Sequence, residues 1–284
     1  MSEHSPETAR VASYYDEMQR FYTALWHESG VHYGYWDDDS RSHDDAVRHL
    51  DRLVGRTLDL TPGSRVLDAG CGVGGTSVHL AEHFGLNLTG ITLSREQMWR
   101  ARARADGRTL THTPDFQIAS YLATPFERES FDGVFGIESI CYALTKRDFL
   151  REAWRLLRPG GRIVVLDGFD ASENRLTRRG VQIFCDGFAV PALATVEGFA
   201  DDLDATGFVD TRVVDLRDQI LPSARRIERL GWVGLGLVAS AAALRPVPKI
   251  WWQHCLAGVV QRQLFARGAM RYALITAVKA MEAP

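Results

Sequence analysis

Apolar residues at Val47, Leu50, Val54 and Leu58 recur at the spacing of one helix face, predicting a helix from Asp44 to Leu60 that Pro62-Gly63 stops. Short β-rich runs then alternate with helical stretches. Strands are predicted over Arg65–Asp68, Asn87–Thr92, Asp115–Ile118, Phe131–Ile137 and Arg162–Asp167, and helices over Thr76–His83, Ser94–Ala105 and Lys146–Leu157. Strands alternating with helices pair in parallel through right-handed crossovers, so the pattern predicts a doubly wound α/β sheet.

After Asp167 the rhythm changes. Helices are predicted near Leu176–Phe188 and Val196–Thr206, followed by a strand at Val209–Asp215, a long helical segment from Pro222 to Ala266 and a last strand at Tyr272–Val278. The helical material is rich in Trp and Leu, as a lid over an apolar ligand would be. Plain core packing gives the same pattern, and periodicity does not separate the two.

Composition narrows the class. The chain has 284 residues, 45% hydrophobic and 24% charged, which suits one elaborated globular α/β domain. A net charge of −3, with 33 basic against 36 acidic residues, gives no drive toward nucleic acid or an anionic membrane. Four widely spaced cysteines form no ligand or disulfide pattern, and the first 18 residues lack the apolar core of a signal peptide. The longest uncharged run, Leu230 to Leu244, falls short of the ~20 apolar residues that span a bilayer. The expectation is a cytoplasmic protein without a membrane span; self-association into a homo-oligomer is left open.

The sharpest motif is Val66-Leu67-Asp68-Ala69-Gly70-Cys71-Gly72-Val73-Gly74-Gly75, which follows a strand and opens a helix. Its glycines permit a tight turn and close approach of a ligand to backbone N–H groups. Gly70, Gly72 and Gly75 also satisfy the dinucleotide spacing. Asp68 argues against that use, because a carboxylate there would face a pyrophosphate unfavourably. The acidic residue expected ~20 positions on is missing too, since the second strand ends Gly90-Ile91-Thr92-Leu93-Ser94. A carboxylate at this bend suits a cationic ligand.

Asp68-Ala69-Gly70-Cys71-Gly72-Val73-Gly74-Gly75 resembles the first motif of class I S-adenosylmethionine-dependent methyltransferases, with supporting matches at Phe131-Asp132-Gly133-Val134-Phe135 and Leu157-Arg158-Pro159-Gly160-Gly161. The resemblance implies a Rossmann-like doubly wound sheet with an antiparallel last strand, an N-terminal aromatic lid and a helical cap. It implies S-adenosyl-L-methionine as cofactor, held by Asp68, Gly70, Cys71 and Gly72. The corresponding division of the chain is an N-terminal lid with helices over 1–60, a cofactor-binding core over 61–170, and cap insertions with the closing strands over 171–284.

Finer residues resemble the sterol, tocopherol and terpenoid C-methyltransferase group. Thr92-Leu93-Ser94 with Gln97 matches its TLS..Q segment, implying a ribose contact from Thr92, Leu93 and Gln97. Ser94 and Gln97 also have the spacing of a helix capping box, and both roles are compatible. Ser120 and Tyr121 fall where the family touches adenine, although the usual acidic residue is absent. Ile137-Glu138-Ser139 resembles a stretch whose Glu acts as base or stabilises a cation; a Glu there would also serve as a simple ion-pair partner. An alkene that attacks a sulfonium methyl becomes a carbocation that must lose a proton, which is why a carboxylate is wanted.

The aromatic N-terminal stretch, from Tyr14-Tyr15-Asp16 through Phe21-Tyr22 and Trp26 to His32-Tyr33-Gly34-Tyr35-Trp36, resembles the entrance segment of the same group. It implies contacts from Tyr14 and Tyr33 to the cofactor, with aromatic faces steadying positive charge. Trp26 and Trp36 read first as packing residues. Tyr142, Trp26 and Trp232 are the candidates for lining a hydrophobic acceptor pocket. His27, His32 and His254 are further acid–base candidates, and no histidine pair is read as a metal site. Arginine pairs at Arg178-Arg179 and Arg225-Arg226 would suit a diphosphate or carboxylate, or simply a solvated surface.

The expected function is methyl transfer to a hydrophobic small molecule, led by C-methylation of an isoprenoid or terpenoid with Glu138 as base. O- or N-methylation of a natural product or lipid stands beside it. An NAD-binding oxidoreductase and a non-catalytic ligand-binding module are the readings from other classes.

Overall fold

The computed structural model describes residues 10–18, 30 and 32–281. Seven strands form one sheet: β1 Arg65–Ala69, β2 Asn87–Thr92, β3 Asp115–Ile118, β4 Phe131–Ile137, β5 Leu157–Asp170, β6 Phe208–Asp215 and β7 Met270–Lys279. Their order is β3-β2-β1-β4-β5-β7-β6. β1 to β5 are parallel, whereas β7 runs antiparallel between β5 and β6. The predicted doubly wound sheet with an antiparallel last strand is therefore present.

The helices are α1 (10–18), α2 His43–Leu58, α3 Gly75–Phe84, α4 Arg95–Ala105, α5 Lys146–Leu156, α6 Arg175–Gly187, α7 Val196–Thr206, α8 Arg217–Ala242 and α9 Lys249–Ala266. A 3-10 turn, Ile140–Tyr142, follows β4. The pleat sorts strand residues between two cores. Val164 and Leu166 of β5 join α2, α3, α6, α8 and α9 on one face, while Ile163 and Val165 join α5 and α7 on the other.

Local signals explain the element ends near the site. Ser42 caps α2 by accepting the Asp45 N–H, and Ser94 caps α4 by accepting the Gln97 N–H. The long helical segment read from Pro222 to Ala266 consists of two helices, the α8–α9 hairpin. Pro246 and Pro248 occupy its turn, where a missing N–H and the restricted residue before each proline oppose a continuous helix. α9 packs against both α6 and α8, which forms the cap over the carboxyl ends of the strands.

The strand order reverses direction between β1 and β4. Ligands of open α/β sheets bind outside the carboxyl ends of strands at such a switch point. Asp68, near the end of β1, pairs in register with Phe135 of β4, and Glu138 follows β4 directly.

Candidate active site

The bend after β1 is built from backbone geometry that side chains would spoil. Gly70 has φ +96°, and a Cβ there would lie 2.5 Å from the Cβ of Ser139. Both the Gly70 and Cys71 N–H groups donate to the Ile91 carbonyl, at 3.0 and 2.9 Å, locking the bend to β2. Gly72, at φ +52°, would meet only Gln97 Nε2 at 4.0 Å, so its surroundings are open.

Behind the bend, Asp68 is buried and accepts the Ser77 hydroxyl on Oδ2 at 2.6 Å; Oδ1 accepts no hydrogen bond from the described residues. Burial, with the Asp51 carboxylate adding to it, pushes the Asp68 pKa up to about 7. The site thus carries a buried carboxylate with an open oxygen, beside an open glycine cradle. A ligand bearing a cationic centre and hydroxyls fits that donor and acceptor set.

Asp68 lies on the wall of a cavity of about 470 Å³ at the switch point. The expected residues Gly70, Cys71, Gly72, Thr92, Leu93, Gln97, Tyr121, Tyr33, Glu138 and Tyr142 line it. Gln97 serves two purposes. Its backbone N–H completes the α4 cap, and its Oε1 accepts the Thr92 hydroxyl at 2.9 Å. That bond fixes the side chain on the cavity wall and satisfies Thr92 at once.

Three of the expected residues lie off this wall. Ser120 is not on the wall: its hydroxyl accepts the Leu122 N–H at 3.2 Å, stabilising the turn after β3, and the neighbouring Tyr121 faces the cavity instead. Tyr14 is buried away from the wall, its hydroxyl 2.9 Å from His254 Nδ1, and Tyr15 takes the cavity position. A helix turns about 100° per residue, so the two neighbouring tyrosines point in different directions. Trp232 is 61% exposed on the outer face of α8, whereas Leu230, Gly231 and Gly234 present the inner face. Trp26 and His27 lie outside the described residues.

Glu138 lies on the cavity wall just after β4. It has φ +48°, an unusual conformation for a residue other than glycine, and its own N–H is held by the Leu166 carbonyl at 2.8 Å. The Tyr33 N–H at 2.8 Å and the Tyr272 hydroxyl at 2.9 Å both donate to Oε1. Oε2 accepts no hydrogen bond from the described residues. Burial pushes the Glu138 pKa up to about 8 against these two donors, with Asp167 contributing in the same direction.

Asp167 is a wall carboxylate that sequence reasoning missed. The Cys141 N–H donates to Oδ2 and the Gly168 N–H to Oδ1, each at 2.8 Å, so both of its oxygens hold the 3-10 turn and its own strand end. Burial raises its pKa to about 6. Its place at the end of the predicted strand Arg162–Asp167, just past the part of β5 that pairs with β4, was the available signal. Gln261 was missed as well. It is fully buried on α9 and accepts the Tyr33 hydroxyl, which binds the N-terminal segment to the cap.

Away from the glycine bend the wall becomes apolar. Phe184, Phe188, Val190 and Leu193 from α6 and the loop after it face Ile227, Leu230 and Val238 of α8 and Trp251 of α9. The Tyr15 hydroxyl donates to the Tyr142 hydroxyl at 2.9 Å, which donates to the Phe188 carbonyl at 3.1 Å. Burial lowers the His254 pKa to about 4, so its ring is neutral near pH 7. α1 fastens both halves of the cavity. Asp16 accepts the Ser94 hydroxyl at 2.5 Å, and Glu17 accepts the Trp251 indole N–H at 2.9 Å.

His79 and His83 stand one turn apart on α3 with rings stacked 4.1 Å between centroids, a pair the sequence reading passed over. Among the described residues no third His, Cys, Asp or Glu joins them as a metal-holding group. No helix among the described residues is long and apolar enough to cross a membrane.

Comparisons with known proteins agree with this geometry. The O-methyltransferase resE of Aspergillus sclerotiorum is 32% identical over 79% of this chain and 85% of its own. The 2-methyl-6-phytyl-1,4-hydroquinone methyltransferase of Synechocystis sp. is 29% identical over 95% of this chain and 87% of its own. The crystal structure of the mycolic acid cyclopropane synthase CmaA1, complexed with SAH and CTAB, superposes with a TM-score of 0.84 at 20% identity, covering 98% of this chain and 100% of that one. Residues 2–227 match the family described as mycolic acid cyclopropane synthetase. The buried carboxylate behind a glycine bend, the apolar chamber beside it and these matches lead to one conclusion: the chain belongs to the mycolic acid cyclopropane synthetase family of class I S-adenosylmethionine-dependent methyltransferases.

Proposed function

We propose that the chain methylates a hydrophobic isoprenoid-type acceptor at carbon, with Glu138 receiving the proton. One observation carries the reading: both protein hydrogen bonds to Glu138 land on Oε1, leaving Oε2 as the acceptor in the cavity. Bound beside Asp68, S-adenosylmethionine supplies an electrophilic methyl group on a positively charged sulfur. Asp68 and the Gly70–Gly72 bend would hold that charge and its ribose, with Thr92 at the end of the second strand, Leu93 just after it, Gln97 on α4 and Tyr121 also on the wall. In this reading residues 61–170 hold the cofactor and residues 171–284 cap the acceptor.

Methylation of an alkene carbon leaves a carbocation on the acceptor. Tyr33, Tyr142 and Phe265 line the cavity, and aromatic rings there would steady that charge. The proton β to the cation passes to Glu138, and its electron pair closes the new double bond. Alignment of the acceptor with the methyl group supplies most of the rate.

Methylation at a hydroxyl oxygen is the second reading, favoured by the O-methyltransferase name of the 32% identical relative. Glu138 then takes the hydroxyl proton instead. Incubation with a methyl-labelled cofactor and a panel of terpenoid, tocopherol-like and polyketide acceptors, read by mass spectrometry and NMR, separates carbon from oxygen. Glu138→Gln is expected to abolish turnover and retain S-adenosylhomocysteine binding, and Asp68→Ala to weaken that binding at least tenfold. Full turnover by Glu138→Gln would refute its role as base.

A further inference from the structure

Among the described residues, the carboxylates Asp68, Glu138 and Asp167 line the cavity and no lysine or arginine does, although the chain carries 33 basic residues. The arginine pairs that suit a diphosphate, Arg178-Arg179 on α6 and Arg225-Arg226 on α8, are exposed and off the wall. Lys146, close in sequence to the acceptor end, spends its ammonium on the carbonyls of Cys141, Ala143 and Ala192. His254 sits against Tyr14, and His32 Nδ1 lies 2.8 Å from the Tyr33 carbonyl with its Nε2 3.9 Å from Asp51.

A phosphate entering this chamber would lose its water and meet no compensating lysine or arginine among the described residues, the costliest form of burial. Sites that accept phosphate answer it with arginine forks, lysine or a helix N-terminus. The helix start on this wall, Gly75-Thr76, stands directly beside Asp68 and belongs to the cofactor end. Nor is there a cluster of three metal-ligating side chains among the described residues to carry a metal-bridged diphosphate.

We infer that the acceptor is uncharged, a prenyl alcohol or prenylated phenol, and that the cavity rejects the corresponding diphosphate. The inference rests on the methyl-transfer reading above and adds the charge class of the substrate to it.

The test uses the full-length chain saturated with S-adenosylhomocysteine, titrated calorimetrically with geraniol and with geranyl diphosphate, each with and without Mg²⁺. The alcohol is expected to bind at least tenfold more tightly, with no gain in diphosphate affinity from Mg²⁺. Equal or tighter diphosphate binding under either condition overturns the proposal, and so does binding of neither compound. Turnover is scored separately with the methyl-donating cofactor. An alcohol that binds selectively but is never methylated leaves the charge selection standing and counts against the isoprenoid methyl-transfer reading.

Discussion

The Tyr272 hydroxyl donates to Glu138 Oε1 at 2.9 Å across 134 positions of sequence. The antiparallel last strand makes this possible: β7 lies beside β5 with Tyr272 opposite Gly168, two residues beyond the Leu166 carbonyl to which Glu138 is pinned. The Tyr272 ring is fully buried and packs edge-on to Tyr33, 5.5 Å between centroids. Two groups distant in sequence therefore hold one carboxylate oxygen.

Tyr272→Phe removes a donor that favours the charged carboxylate, so the Glu138 pKa must rise further from about 8. The expected result is a roughly tenfold loss of kcat at pH 7, corresponding to one pKa unit. The acidic limb of the pH–rate profile should move upward, with recovery at higher pH. An unmoved limb would show that Glu138 does not set the rate.

The same carboxylates make the cofactor-free protein sensitive to pH. Asp68 and Glu138 have folded pKa values of about 7 and 8, above their ordinary values of 3.8 and 4.5. Between those limits the folded state binds more protons than the unfolded chain, so stability falls as pH rises. His254, lowered from 6.5 to about 4, has the opposite slope, but only below pH 6.5. The melting temperature is therefore expected to fall between pH 6.5 and 8 in calorimetric scans, and less steeply in Glu138→Gln.

Gly70→Ala should fail twice over. A side chain at φ +96° is strained, and the added carbon would meet Ser139 Cβ at 2.5 Å. We expect a loss of stability of ~2 kcal/mol or more and weak S-adenosylhomocysteine binding. Adding Ser139→Gly removes the clash and leaves the backbone strain, so the double variant should recover part of the stability. Thermal melts of the pair measure both contributions.

The α8 face assignment is checked by two substitutions. Trp232→Ala, on the exposed face, should leave the acceptor KM within twofold. Val238→Phe, at a buried position on the cavity wall, should raise it at least tenfold while cofactor affinity holds. Steady-state kinetics with any accepted substrate decides the matter.

Tyr142→Phe breaks the hydroxyl chain from Tyr15 to the Phe188 carbonyl, leaving that carbonyl without its 3.1 Å donor. A stability loss of ~1 kcal/mol and a KM increase of severalfold are expected, with kcat nearly unchanged. Equal loss in kcat would place Tyr142 in the chemical step.

What the sequence alone determined was local. The alternation of strands and helices, the glycine bend with Asp68 behind it and the Ser94 cap all rest on interactions within a few residues, so propensity and spacing reveal them. Tertiary structure decided whatever depended on which face an element turns inward. It put Tyr15 rather than Tyr14 on the wall, turned Trp232 outward, divided the long helical segment into a hairpin of two helices, and brought Asp167, Gln261 and Tyr272 to the site. Those residues meet because the sheet reverses between β1 and β4 and ends in an antiparallel strand. The Tyr33–Gln261 and Glu138–Tyr272 contacts span more than a hundred positions and leave no periodic trace in the chain.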